Sequence, residues 1–539
     1  MTPALQSDPA SSATRPNTPD AVSRWLRLGF VVCLWLLALY QFSETTADPD
    51  LWGHVAFGQQ MLQTHSIQRA EIYSWTARGQ PFVNHEYGAD LILATAYRLL
   101  GGSGILLLKV LIGLLTFAIA LRLGLRKLSW PESGLGMLVA AVAVVEISFG
   151  FAARPQIFTA LFLALTLLLL RRAHRGSWWC AALIPPLFLV WINIHGGALA
   201  GMGLLFLTAG VSSAEYAWSR FRRTSPRTPP PVLIALWAAA LGAVAASFCN
   251  PWGGEMLRWL IKSVLWFRPE IQEWNPTPFG WDHLNFFILL ALAAFAWAAS
   301  RRERRLWELA ACCAFAFLGW RSVRNTPLFA IVALSLIPEH LVDALARFKS
   351  QFAGLCRLGQ NSSLKTAAAS LLWLCSLGSF VAIFTLHKDH PLTMEAPRSV
   401  YPSAAVQFMK THQLQGKLLV FFDWGDFVIF HLPGCQPSID GRLDACYSRQ
   451  PIAQHWKLYN GESVDDSVLP VHQADLALMP SRLQGAVTLR DQAGWQVVYF
   501  DDTAVILARN ARNYPALKAL KLPVEGPKAA GLGRAPFPG

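Results

Sequence analysis

Apolar runs of about 15–20 residues recur along this 539-residue chain, and they constrain its fold more than any other feature of the sequence. Each run is long enough to cross, or nearly cross, the hydrocarbon core of a bilayer as a helix. We therefore expect an all-α polytopic membrane protein. About eleven spans are predicted, at 28–42, 104–121, 133–150, 156–170, 178–193, 197–213, 232–249, 284–300, 306–320, 326–342 and 367–386.

The basic residues fall in short clusters between these apolar runs, a distribution that the positive-inside rule explains. Arg24 and Arg27 precede the first span and place the N-terminus in the cytoplasm, and the cluster Arg301–Arg305 then also lies inside. The net charge of +13 therefore indicates orientation and not nucleic-acid binding. We predict a multi-pass protein of the bacterial cytoplasmic (inner) membrane, with its C-terminal region extracytoplasmic.

Composition divides the chain into four parts. Residues 1–22 are rich in Ser, Thr and Pro and predict a disordered cytoplasmic tail, and 23–388 form the transmembrane domain, whose first outer loop is 43–103. Apolar segments at 87–100 and 254–267 predict juxtamembrane helices. Residues 389–512 predict a small extracytoplasmic α/β domain, and 513–539 a flexible tail. The strands of the α/β domain are expected at Lys417–Phe422, Phe427–Leu432, Asp475–Met479, Gln496–Phe500 and Thr503–Ala508, with helices near 402–412 and 451–459.

Polar residues of unusual kinds collect at the outer ends of the predicted spans. The first outer loop carries several acids and histidines beside the bilayer, where such side chains are costly and indicate function. Arginines also lie on this face, although the positive-inside rule disfavours them there. Guanidinium groups bind phosphate, and a carboxylate can deprotonate a hydroxyl or hold a divalent cation. The residues concerned are Asp48, Asp50, His54, His85, Glu86, Arg154, Asn193, His195, Glu273, Arg321 and Arg324.

The motifs DxDLWxH, GxPFxNHEY and LxxxYxLxG in the first outer loop resemble those of the multi-spanning GT-C glycosyltransferases. The nearest likeness is to bacterial relatives of the protein mannosyltransferases and of the aminoarabinose transferase acting on lipid A. In layout the resemblance covers roughly 25–340, and ARPQ, WINIHGG and an outer-face RN also fit it. Glu86 and Tyr87 replace the prolines of those relatives, which leaves the substrate class open.

The resemblance implies a GT-C-like fold and sugar transfer from a polyprenyl-phosphate-linked donor to a glycan, lipid or protein acceptor at the outer membrane face. Asp50 or Asp48 is the expected base, and Asp50 is preferred because it lies four residues before His54. The expected substrate-binding residues are His54, His85, Glu86, Arg154, Asn193, His195, Arg321 and Arg324. A divalent cation at D-x-D stays open, since no metal-ligand set is complete in the sequence. A flippase for lipid-linked glycans and a non-catalytic membrane scaffold are the alternatives.

Two further expectations concern the C-terminal region. FDWGDF, ending at Phe427, and DGRLD, at 440–444, resemble more weakly the acceptor-binding motif of oligosaccharyltransferases, and a Gly-containing hairpin turn is the preferred interpretation. Cys435 and Cys446 lie in a turn-rich stretch of a domain placed in an oxidising compartment, which favours a disulfide between them.

Overall fold

The computed structural model describes residues 21–129, 132–266, 268–347, 362–388, 390–528 and 533–539. The predicted N-terminal tail lies almost wholly outside these residues. Helices occupy every segment for which the sequence predicts a span, and two predicted juxtamembrane segments are helical as well. They are α1 (Ala21–Phe42), α2 (Leu51–Thr64), α3 (Tyr87–Leu125), α4 (Glu132–Ser148), α5 (Gln156–His174), α6 (Ile184–Ile192), α7 (Ala198–Phe221), α8 (Pro230–Ala246), α9 (Gly254–Val264), α10 (Leu284–Ala299), α11 (Leu306–Arg321), α12 (Thr326–Leu336), α13 (Pro338–Ala346) and α14 (Ser362–Leu386).

Among the described residues, six helices are long and apolar enough to cross a membrane. They are Ala21–Phe42, Tyr87–Leu125, Gln156–His174, Ala198–Phe221, Trp281–Ala299 and Ser363–Leu386. The pair Val323–Leu336 and Pro338–Ala346, bent by 58°, counts as a seventh if it forms one broken span, and three shorter apolar helices accompany them. Length and composition therefore support six or seven spans, and eleven stays a prediction.

Helix α3 contains a break that separates its juxtamembrane part from its apolar part. Leu100 leaves helical geometry, and Gly101 has a φ of 60° in the left-handed region that glycine adopts without a Cβ penalty. The segment before the break carries Asp90 towards α2, while the segment after it enters the helical core. The break allows the first part of α3 to pack against α2 while the second part packs in the helical core.

The C-terminal domain is built on one mixed six-stranded sheet with the order β3-β2-β4-β6-β5-β7. Strands β2, β3 and β4 run parallel to one another, and β6 is antiparallel to both β4 and β5. A separate antiparallel pair joins β1 to β8. The strands are β1 (Glu395–Pro397), β2 (Gly416–Val420), β3 (Cys435–Pro437), β4 (Leu476–Pro480), β5 (Trp495–Phe500), β6 (Ala504–Arg509), β7 (Val524–Glu525) and β8 (Arg534–Pro536), and the helices are α15 (Ser403–Thr411), α16 (Gly425–His431), α17 (Arg449–Tyr459) and α18 (Gln484–Arg490).

The strand predicted at Phe427–Leu432 was wrong, because these residues form helix α16. A short, continuous apolar run has no period that separates a buried strand from a buried helix. Here Gly425 to Ile429 are all buried, and α16 packs against α2 of the first outer loop. The preferred hairpin interpretation of FDWGDF fails for the same reason.

The prediction of a flexible tail after residue 512 was also wrong for the part of it that the structure describes. Strand β8 pairs with β1, and Phe537 is buried against the first outer loop.

The predicted disulfide does not form, since Cys435 and Cys446 are both free thiols. Cys435 begins β3, and its Sγ lies 3.4 Å from the carbonyl oxygen of Leu414. The Sγ of Cys446 lies 3.4 Å from Oε2 of Glu71 in the first outer loop. Each thiol faces a different neighbour, so proximity in sequence did not become proximity of the sulfur atoms.

The first outer loop and the C-terminal domain share one hydrophobic core. Trp52 of α2 is fully buried, and its ring lies 4.4 Å from that of Tyr401, 5.0 Å from Phe427 and 5.2 Å from Phe537. Its Nε1 donates to the carbonyl oxygen of Pro538 at 2.8 Å. The C-terminal domain is therefore a fixed wall of the outer loop and not a tethered module.

We expect Trp52→Ala to lower the free energy of unfolding by about 3–5 kcal/mol, because it opens a cavity where the two segments meet. Thermal denaturation of the detergent-solubilised protein measures the change. Trp281→Ala is the matched control, since Trp281 is 89% exposed. Equal denaturation temperatures for the two variants would contradict the shared core.

Candidate functional site

Arg154 is the central charge of the candidate site. It lies in the turn between α4 and α5, and its Nε donates to Oδ1 of Asp48 and lies 3.3 Å from Oδ2 of Asp50. Its Nη1 lies 3.6 Å from Oε1 of Glu273, in the outer loop after α9. One guanidinium thus joins three carboxylates from two distant parts of the chain, and its charge offsets part of the repulsion among them.

A second arginine extends this arrangement. Nη1 of Arg324 donates to the same Oε1 of Glu273 at 3.2 Å, and its guanidinium lies 4.9 Å from the centre of the Trp274 ring. Glu273 therefore connects Arg154 to Arg324. The sequence placed Glu273 on the outer face without giving it a role, because nothing in one loop shows which arginines from other turns will meet it.

Asp50 is the acid whose environment best suits a base. Enclosure by the protein raises the pKa of Asp50, Arg154 opposes this, Asp48 adds to it, and the resulting pKa is about 6. The carboxyl is therefore mostly ionised at neutral pH and can still accept a proton. Asp48 is more restrained, since its Oδ1 accepts from both Arg154 and the backbone N–H of Asp50, and its side chain is 14% exposed against 30% for Asp50.

Glu86 lies between two imidazoles, with its Oε1 3.6 Å from Nε2 of His85 and 3.5 Å from Nε2 of His195. Burial raises the pKa of this carboxyl, but His85 and His54 outweigh burial and lower it to about 2. Burial lowers the pKa of His195 to about 3, so His195 is neutral. Its Nδ1 accepts from the backbone N–H of Gly197 at 3.0 Å, which leaves the Nε2 proton directed at Glu86.

His54 is held by a carboxylate on the neighbouring helix. Its Nδ1 lies 2.7 Å from Oδ1 of Asp90, whose other oxygen accepts from Nδ2 of Asn84 at 2.8 Å. Burial lowers the pKa of His54, but the hydrogen bond and charge of Asp90, together with Glu86 and Asp50, raise it to about 9. The imidazole of His54 is thus mostly protonated at neutral pH and carries a positive charge beside the acids.

Two residues expected at the site occupy other positions. Asn193 holds elements together: its Oδ1 accepts from the Tyr87 hydroxyl at 2.5 Å, and its Nδ2 donates to the carbonyl oxygens of Leu189 and Cys249. Arg321 ends α11 as an exposed residue and takes no part in the contacts around Glu273. The structure brings the other eight predicted residues together.

The C-terminal domain adds an acid that sequence reasoning did not place here. Asp426 of FDWGDF is buried, and its Oδ2 accepts from the backbone N–H of Gly441 in DGRLD at 3.2 Å. A Cβ on Gly441 would lie 2.4 Å from Oδ1 of Asp50 and 2.5 Å from Oδ2 of Asp426. Only glycine fits between the two carboxyls. The FDWGDF motif indicated that this segment could be functional. Its distance in sequence from Asp50 gave no indication that Asp426 would lie beside that residue.

The environment of Asp426 favours its protonated form. Burial, followed by the charges of Asp440 and Asp50, raises its pKa well above the ordinary value despite the opposing Arg442 and His54. Its Oδ1 has no hydrogen-bond partner in the described part of the chain and packs where a Cβ on Gly53 would be. A protonated carboxyl can sit beside Asp50 without the repulsion that a second anion would cause.

Arg442 fixes DGRLD against the first outer loop. Its Nε and Nη2 donate to Oδ1 and Oδ2 of Asp440 at 2.8 and 2.7 Å, and its Nη1 forms an ion pair with Glu71. The guanidinium also lies within about 5 Å of three rings of that loop, those of Phe57, Tyr73 and Phe82. This bidentate, ring-enclosed arginine orients the glycine turn that touches Asp50.

The described residues contain no group of three or more His, Cys, Asp or Glu arranged to hold a metal ion. The carboxylates of the D-x-D pair both lie against the guanidinium of Arg154.

No protein-family model matches the sequence, and no curated protein matches it. Solved structures do. The oligosaccharyltransferase of Archaeoglobus fulgidus in its apo form matches with a TM-score of 0.54 and 11% identity over 85% of this chain and 69% of the other. The same enzyme tethered to an acceptor peptide matches with a TM-score of 0.54 and 10% identity, over 91% and 74% of the two chains.

ArnT from Cupriavidus metallidurans bound to undecaprenyl phosphate is similar over nearly its full length. The TM-score is 0.53 at 13% identity, over 91% of this chain and 98% of ArnT. These neighbours are GT-C glycosyltransferases, and at such low identity the likeness concerns the fold. The chain has a GT-C-like fold.

The raised pKa of His54 predicts a loss of stability as pH rises. A group whose folded pKa of about 9 exceeds its unfolded value of 6.5 stabilises the fold fully below pH 6.5 and progressively less up to pH 9. We expect a loss on the order of 3 kcal/mol across this window, which His54→Gln removes. Chemical denaturation at pH 6, 7.5 and 9 measures it.

His472→Gln is the control for this measurement, because His472 is exposed on the C-terminal domain. It should keep the pH dependence of the unmodified protein. A pH dependence equal in His54→Gln and in the unmodified protein would show that the pair with Asp90 does not raise the pKa of His54.

Proposed function

We propose that this chain, with its GT-C-like fold, is an integral-membrane glycosyltransferase that moves a sugar from a polyprenyl-phosphate-linked donor to an acceptor at the outer face of the cytoplasmic membrane. The observation that carries the proposal is the position of Asp50, which has a pKa of about 6 and lies beside the chain Arg154–Glu273–Arg324. A base and a phosphate-binding cation are thereby held at neighbouring positions.

In the proposed reaction Asp50 takes the proton from an acceptor hydroxyl. The acceptor oxygen forms a bond to the anomeric carbon, and the bond between that carbon and the phosphate oxygen breaks, so that the lipid phosphate leaves with the bonding electrons. The proton ends on Asp50, and negative charge grows on the departing phosphate. Groups that stabilise this charge in the transition state accelerate the step.

Arg324 is the best placed of the arginines to meet the departing phosphate. In the described part of the chain its guanidinium makes one hydrogen bond, to Glu273, and it is a quarter exposed. Arg154 is already committed to Asp48, Asp50 and Glu273. In this proposal Arg154 therefore positions the acids, while Arg324 offers its remaining N–H donors to an incoming phosphate.

The polyprenyl phosphate in the proposal draws on two considerations. Nucleotide-activated sugars are cytoplasmic, so transfer at the outer face requires a lipid-linked donor. The similar ArnT structure is bound to undecaprenyl phosphate. In this proposal His54 and Glu86 supply the remaining charge that faces the substrate, His85 and His195 flank Glu86, and Asp48 supports Asp50.

Asp50→Asn should reduce transfer by about 10²–10⁴-fold, because it removes the general base while keeping the side-chain shape. The measurement is mass spectrometry of lipid-linked sugars and envelope glycans in a deletion strain that expresses each variant. Asp282→Asn, at an exposed acid of the same outer region, is the control and should restore the glycans fully.

Undiminished glycan in the Asp50→Asn strain, with the protein present at normal levels, would sink the assignment of Asp50. If the Asp48→Asn variant alone lost transfer, the base would be Asp48. An unchanged glycan profile in the deletion strain itself would contradict glycosyl transfer altogether.

A further inference from the structure

A cavity of about 230 Å³ lies between the C-terminal domain and the outer loop that follows α9. Trp266 and Arg268 of that loop line one side, and Asp444, Arg449 and Trp456 of the C-terminal domain line the other. The volume is below the roughly 300–1,000 Å³ of pockets that take drug-sized ligands. It therefore matches a group of about one ring.

The charged residues of this cavity are balanced in sign, and two of them form a buried ion pair. Nη2 of Arg268 lies 2.7 Å from Oδ2 of Asp444, and both side chains are largely buried. Arg268 also donates to the backbone and hydroxyl of Ser263, which fixes its position. Arg449 lies 4.9 Å from the ring centre of Trp266, and Glu270 is the second acid of the lining. Two cations face two anions, so the cavity carries no excess charge for an ionic ligand.

The wall of the cavity adjoins the candidate active site at two places. DGRLD contributes Gly441 to the contact with Asp50 and contributes Leu443 and Asp444 to the cavity wall. On the other side, the Trp274 ring lies between the guanidinium of Arg268, at 4.5 Å, and that of Arg324, at 4.9 Å. The cavity and the candidate active site therefore share the DGRLD segment and the arginines around Trp274 as neighbouring walls.

The backbone of this wall is strained. Leu443 has a φ of 40°, in the left-handed region that a branched side chain rarely adopts. Such strain persists where the surrounding structure enforces it and is common at ligand-binding positions. Here the bidentate pair of Arg442 with Asp440 holds the turn in place.

We propose that this cavity binds a neutral sugar ring of the acceptor. Two indole rings, those of Trp266 and Trp456, offer flat apolar surfaces for the C–H face of a sugar. Asp444 and Arg449 offer acceptors and donors for its hydroxyl edge, while Arg268 holds Asp444 in place. A phosphate would need excess positive charge, and a purely apolar ring would make no hydrogen bond to the polar groups of the lining. The proposal rests on the proposed glycosyl transfer only in assigning the ring to the acceptor.

Saturation-transfer NMR on the full-length protein in lipid nanodiscs tests this binding without turnover. The probes are maltose, N,N′-diacetylchitobiose and methyl α-mannoside. We expect a saturable signal from at least one of them, reduced at least fivefold by Trp456→Ala and by Arg449→Ala. Arg449 is exposed, so its removal leaves the fold intact. Trp281→Ala, outside the cavity, should keep the full signal.

Absence of a saturable signal from all three probes would overturn the proposal, as would signals that neither Trp456→Ala nor Arg449→Ala reduces. Preferential binding of glucose 6-phosphate or of benzyl alcohol at these residues would contradict the neutral-sugar assignment. Asp50→Asn should bind the probes normally. If the protein binds sugars but transfers none, this binding site stands and the proposed reaction fails. If it transfers sugars but binds none of the probes, only this binding site is ruled out.

Discussion

The ion pairs of the Arg154 guanidinium are the interactions on which the candidate site of this protein depends. The guanidinium holds Asp48, Asp50 and Glu273 within one ion-pair cluster, although these acids come from the first outer loop and from the loop after α9. Without a cation between them, three partly enclosed carboxylates would repel one another and take up protons. With it, Asp50 keeps a pKa near 6, suited to accepting a proton at neutral pH. The ion pairs of Arg154 thus help to determine both the positions of these acids and the pKa of Asp50.

A second constraint is the fixed attachment of the C-terminal domain. Trp52 is enclosed by rings from that domain, and Arg442 pairs with acids on both sides of the contact. These contacts bring Gly441 and Asp426, whose pKa is raised by burial, against Asp50. The domain therefore forms one wall of the site, and its own residues line the cavity next to it. Changes to the C-terminal domain should consequently alter the geometry around Asp50 as well as the stability of the protein.

The sequence predicted those features that depend on local pattern or on membrane sidedness. Apolar runs predicted the helices, and the outer ends of those runs collected Asp50, Arg154, Glu86 and Arg324, which the structure brings together. Features that depend on long-range contact could not be predicted. Asn193 was expected at the site because of its position in a turn, yet it ties together three helix ends. The apolar run after Asp426 had no period to distinguish strand from helix, so the acid beside Asp50 stayed hidden.

In the proposed function the lipid phosphate binds at the linked side chains of Arg154, Glu273 and Arg324. Binding of undecaprenyl phosphate to purified variants tests this most directly. Arg324→Ala removes the guanidinium with free donors, and Arg321→Ala removes an exposed arginine three residues earlier as the matched control. Loss of a charge-assisted contact costs about 1.5–3 kcal/mol, or roughly tenfold or more in Kd. Native mass spectrometry titrations should show this weakening for Arg324→Ala and unchanged binding for Arg321→Ala. Equal affinity in both variants, or weakening confined to Arg321→Ala, would contradict the account.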